Sequence, residues 1–128
     1  MSTITFSESM PRVLLSSDNH HLVSPLRNSL LRAGFNVDLA SDYSHLEMLW
    51  QQLRHDVVLF EVSYPSSVES ATESALRIKR QDAQQFIAYL ADANLQAGGL
   101  IGDAIFSRDA HKLPQALRAV LLAQSEQR

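Results

Sequence analysis

Acidic, hydroxyl and basic side chains gather where the apolar runs of this sequence end. Ser17-Asp18 closes one run, Glu61 to Pro65 another, Leu90-Ala91 a third, and Ser107-Arg108 a fourth. Most chemistries that such residues can perform fail on residue type or spacing. Asp18, His20 and His21 carry metal-ligating groups, but adjacent histidines after a strand have no ligand spacing of known geometry, so they read as solvated. Ser16-Ser17-x-Asn19 is polar enough for a phosphate loop, yet it lacks the glycine that lets backbone approach a phosphate. Five histidines and scattered acids form no triad or carboxylate pair. No cysteine is present, which excludes a disulfide framework, a thiolate nucleophile and a thiolate metal site.

The elements that position these residues follow from periodicity. Arg12–Ser16 is an apolar run rich in branched residues, a buried strand. Leu22, Leu26, Leu30 and Leu31 then mark a helix that Gly34 ends. Ser24 is placed to cap it with Pro25 at the first helical position; a helix starting at His20 and kinking is the alternative. Phe35–Leu39 alternates as a second strand. Ser44 and Glu47 have capping-box spacing, ahead of Leu46, Leu49, Trp50 and Leu53 on one helical face. Asp56–Glu61 is a third strand, apolar through its middle like a central strand covered on both faces. Ser66 and Glu69 repeat the capping-box spacing before a stripe of Val68, Ala71, Ala75 and Ile78. Arg77, Lys79 and Arg80 lie toward that helix's end and read as solvated. Phe86–Leu90 and Asp103–Ser107 are strands four and five, and Pro114 opens a last helix with Leu117, Val120 and Leu121 inward. Trp50 and Phe60 read as core.

The 128 residues suit one domain, with 45% hydrophobic and 20% charged residues. The net charge of −3 argues against direct nucleic-acid binding by this domain. No apolar run reaches membrane-span length, and Met1 to Pro11 lacks the pattern of a signal peptide. Residues 1–10 are expected as a flexible tail, 11–123 as the folded domain and 124–128 as a polar tail or the start of a linker. Strands joined by helices pair in parallel with helices on both faces, giving a doubly wound α/β fold. Its site lies at the carboxyl ends of the strands, beside the switch point of strand order.

Val13 to Asn19, then Gly34, then Asp56–Glu61 with Pro65, resembles the receiver domain of bacterial response regulators, over Arg12 to about Ala123. The resemblance implies a flavodoxin-like (CheY-like) five-stranded parallel sheet of order 2-1-3-4-5. It further implies a site in which two acids after strand one hold Mg²⁺ and an Asp ending strand three accepts a phosphoryl group. A Ser or Thr after strand four and a Lys after strand five contact the phosphate. This sequence departs from that pattern. Ser17 stands for the first acid and only Asp18 remains. Glu61 replaces the acceptor and Leu90 replaces the hydroxyl. Arg108 stands nearest to the Lys, or Phe106 does in another register. Glu61 either imitates a phosphorylated acceptor, paired with Arg108, or is a solvated carboxylate at a strand end. Asp18 reads as a helix cap or turn residue before a metal ligand.

The expected function is accordingly that of a degenerate receiver. It is a cytoplasmic, non-enzymatic module that acts in signal transduction or transcriptional regulation by protein contacts, independently of phosphorylation. The alternatives are a working phospho-acceptor with atypical residues and a flavodoxin-like ligand-binding module. No cofactor and no tight divalent-cation site are expected. Gly98-Gly99 interrupts the short stretch between strands four and five, so the fourth helix is expected to be shortened or missing. That leaves apolar surface around Ile105, which with Ala119, Leu122 and Ala123 of the last helix is the expected contact surface for a protein partner or a second copy. A downstream output domain in a longer chain is a further expected partner.

Overall fold

The computed structural model describes residues 10–92 and 102–127, less the side chains of His20, Leu22 and residues 125–127. The strands are β1 (Arg12–Ser17), β2 (Asn36–Ala40), β3 (Val57–Glu61), β4 (Phe86–Leu90) and β5 (Ala104–Phe106). Between and after them run α1 (His20–Arg32), α2 (Tyr43–Leu53), α3 (Val68–Gln81) and α4 (Leu113–Gln127). All pairings are parallel, in the order β2-β1-β3-β4-β5, as expected. The expected short fourth helix, around Ala91 to Gln96, lies outside the described residues from residue 93 onward.

Alternation along each strand divides the core into two layers. Leu14, Val58, Phe60, Ile87 and Tyr89 point toward α2 and α3, where they meet Leu46, Trp50, Ala71, Ala75 and Ile78. Val13, Leu15, Val57, Leu59, Ala88 and Leu90 point the other way, onto Leu26 and Leu30 of α1 and Leu113 and Leu117 of α4. Every residue of β3 and β4 is buried, whereas β2, an edge strand, is half open.

Several local expectations give way to competing contacts. Helix α1 starts at His20 and carries Pro25 inside it, so Ser24 is not its cap. Asn19 is, because its Oδ1 accepts from the His21 N–H at 3.0 Å directly after β1. Leu31 lies off the apolar stripe and is exposed. The Ser44–Glu47 capping box does not form. Asp42 caps α2 through the His45 N–H, and Glu47 reaches across to Ser74 and Arg77 of α3. Nor does the Ser66–Glu69 box form, since Pro65–Ser67 winds into a 3-10 turn and Ser67 makes no side-chain cap bond. Leu53 is exposed at the end of α2. Arg77 and Lys79 are not merely solvated: Arg77 pairs with Glu47 at 2.9 Å and Lys79 with Asp103 at 2.7 Å. Strand β5 keeps only the middle of its expected span, because the Asp103 carboxylate turns to accept the Ile87 N–H of β4. Helix α4 continues to Gln127, past the expected boundary at residue 123.

Candidate functional site

Register brings the strand ends together. Ser17 stands opposite Glu61, Glu61 opposite Leu90, and Leu90 opposite Phe106, a single row at the carboxyl edge of the sheet. Strand order reverses beside β1, so Ser17 and Glu61 lie at the switch point where doubly wound sheets place their sites.

The Glu61 carboxylate is fully buried and is not a solvated strand end. The Ser17 hydroxyl donates to its Oε1 at 2.6 Å, and the Ser63 hydroxyl donates to its Oε2 at 2.8 Å. Arg108 Nη1 approaches the same Oε2 at 3.3 Å and donates to Ser63 Oγ at 2.7 Å. The far side of the Arg108 guanidinium grips Asp92 with two bonds, Nη2 to Oδ2 at 2.6 Å and Nε to Oδ1 at 3.2 Å. Burial works against the charge of Arg108, but its bonds to Asp92 and Glu61 outweigh it and raise its proton affinity.

Asp18 neither caps α1 nor faces a cluster of ligands. Its carboxylate accepts the N–H groups of Ser63 at 2.9 Å and Tyr64 at 3.4 Å, pinning the turn after β3. Leu90 packs into the layer beneath α1 and α4, and Phe106 packs against the same layer. Arg108, not Phe106, is thus the residue that reaches the acid. Three contributors were not singled out by sequence: Ser63, Asp92 and Tyr43. The Tyr43 ring meets Phe60 edge-on, with centroids 5.7 Å apart. Its hydroxyl is enclosed with no hydrogen-bond partner among the described residues. Burial first, then the charges of Asp18 and Glu61, push its pKa up to about 12. Among the described residues no group of three or more His, Cys, Asp or Glu side chains is placed to hold a metal ion.

Chemically, the described residues of the site form a hydrogen-bonded network. Both Glu61 oxygens are engaged, and the nearest cation is part of the chain.

No protein-family model and no curated protein matches this chain. Solved structures do. A response regulator from Thermotoga maritima superposes with a TM-score of 0.72 at 16% identity, over 88% of this chain and 98% of the other. The fold is that of the response-regulator receiver domain. The receiver domain of the stress response regulator RcsB from Escherichia coli gives a TM-score of 0.72 at 21% identity, covering 89% of this chain and 95% of its own. The chemotaxis protein CheY4 of Vibrio cholerae gives 0.69 at 22% identity, covering 87% and 98%. The receiver fold therefore spans nearly the whole chain, and the row Ser17–Glu61–Leu90–Phe106 lies at the strand ends where the sequence resemblance places the phosphorylation chemistry.

Proposed function

We propose that this chain is a receiver module that signals through protein contacts without being phosphorylated. The observation that supports this best is the buried Glu61 carboxylate, held by Ser17, Ser63 and Arg108. A receiver that takes up phosphate needs an exposed acceptor and room for a divalent cation. Here the guanidinium of Arg108 supplies the positive charge from within. The domain, whose last helix runs to Gln127, is then a fixed signalling state rather than a switch, read by a protein partner, by a second copy of itself or by an output domain in a longer chain. Its setting is the cytoplasm and it performs no catalysis. No helix of the described residues is long and apolar enough to cross a membrane.

Titration calorimetry with Mg²⁺ or Mn²⁺ tests this reading of the site. Only weak, unsaturated binding is expected, because Asp18 is spent on backbone N–H groups and Glu61 on Arg108. Saturable binding in the micromolar range, about 8 kcal/mol of affinity, would revive the working phospho-acceptor.

The contact surface is proposed on α4 and β5. Leu122 is 63% exposed and Ile105 36% exposed, and Ala119 and Ala123 are exposed beside Leu122 on the helix. Closed two-fold dimers are the commonest way to cover such surface. Light scattering over a concentration series should show a dimer that Leu122→Glu dissociates. A strict monomer at high concentration, unchanged by that substitution, removes α4 as a self-association surface.

A further inference from the structure

At the edge strand β2 a second polar pair, a buried histidine and a partly exposed aspartate, serves no part of the strand-end site. Arg54, at the end of α2, adopts φ 53°, a left-handed conformation uncommon for a side chain of this kind. Its N–H still closes onto the Trp50 carbonyl, and its guanidinium covers the Trp50 ring at 4.2 Å. This reversal directs the next residue, His55, inward. The His55 side chain is fully buried. Its Nε2 lies 2.9 Å from Asp38 Oδ2 of the edge strand β2. Its Nδ1 is enclosed and has no hydrogen-bond partner among the described residues.

The geometry determines the tautomer. Nε2 carries the proton and donates it to the carboxylate, which leaves Nδ1 as a bare lone pair in a dry place. We propose that His55 and Asp38 form an acid-labile clasp, which holds the edge strand β2 to the end of α2 and the entry of β3 and opens when Nδ1 is protonated. A proton on Nδ1 creates an N–H with no acceptor among the described residues, so the charged ring gains by moving out to water. Strand β2 is the element that yields. It has one hydrogen-bonded neighbour, β1, and it is half open, while β3 is buried throughout.

The charged groups around the ring agree with this direction. Burial is the largest influence and lowers the His55 pKa from 6.5. The Asp38 hydrogen bond and charge oppose that, Arg12 of β1 adds to the lowering, and Asp56 beside β3 opposes it. Because the closed form holds the depressed pKa, the opened form binds the proton more readily. The clasp's contribution is therefore complete above the ordinary value of 6.5 and is lost as pH falls below it toward the folded-state value.

Amide hydrogen exchange of the whole chain, followed residue by residue by NMR at neutral and mildly acidic pH and corrected for intrinsic rates, tests the clasp. Amides of β2 that are protected at neutral pH should lose protection in acid, while those of β3 and β4 keep theirs. Unchanged protection of β2, or an equal loss in all strands, overturns the proposal. His55→Gln keeps a donor toward Asp38 but cannot titrate, so its β2 protection should be independent of pH over this range. Asp38→Asn still accepts from Nε2–H but removes the charge that favours the imidazolium in the closed form, which lowers the closed-form pKa further, so β2 should lose more protection in acid than in the native chain. An acid loss in Asp38→Asn no larger than the native one, or an acid loss retained in His55→Gln, also overturns it.

Discussion

Replacing Arg108 with leucine is expected to destabilise the fold by about 3 kcal/mol, the scale for stripping one partner from a buried ion pair. Glu61 is fully buried, so the substitution leaves a carboxylate with two hydroxyl donors and no counter-charge. Asp92 also loses its guanidinium, but it is half exposed and water replaces the contact cheaply. Trp50, the one tryptophan and fully buried, reports unfolding in a urea titration. The pair can then be dissected. Glu61→Met with Arg108→Leu removes both charges and should recover most of the loss, since apolar replacement of a buried pair is often neutral. A cost for Arg108→Leu below about 0.5 kcal/mol, the range of ordinary surface substitutions, would show that Glu61 does not depend on this partner.

Phe60→Ala should cost about 4 kcal/mol, within the range for emptying a buried aromatic site. Phe60 lies next to Glu61 in β3, stacked on Tyr89 with centroids 5.5 Å apart and met edge-on by Tyr43. Its ring thus joins the layer beneath α2 and α3 to the floor of the strand-end site. The cavity left by its loss gives the enclosed Tyr43 ring room to move. The Tyr43 hydroxyl should then ionise closer to its ordinary value of 10 than to the native value near 12. Urea unfolding monitored at Trp50 measures the first effect, and an alkaline titration of tyrosinate absorbance the second. A small loss of stability with unchanged ionisation would mean that the aromatic cluster does not support the site.

How much of this was legible beforehand depends on which force decides each feature. Strands β3 and β4 are apolar through their centres because both faces are covered, and such runs can be read directly. The site row follows from them, since parallel pairing carries Ser17, Glu61 and Leu90 to one edge. Helix starts were harder. Asn19 and Ser24 are both competent caps, and the choice fell to Asn19 because β1 ends beside it. Glu47 had the spacing of a capping-box residue, but a guanidinium on α3 is a stronger partner than a backbone N–H. The register of Arg108 was open because alternation constrains residues only within a strand. Phe106 is the last residue of β5 and faces the α1–α4 layer, whereas Arg108 lies beyond it and is free to turn toward Glu61. Ser63 and Asp92 had no periodic signal at all. Their roles depend on where Arg108 extends, and that is a property of the folded arrangement.

The central claim is that the strand-end site is closed to phosphorylation by its own side chains. Intact-mass measurement after incubation with acetyl phosphate and Mg²⁺ tests it most directly. The mass should remain that of the unmodified chain, because both Glu61 oxygens are held and neither Ser17 nor Leu90 can take the role of an acid or of a phosphate-binding hydroxyl at its position. A stoichiometric gain of one phosphoryl group, mapped to Glu61 or a neighbouring residue, would contradict the account.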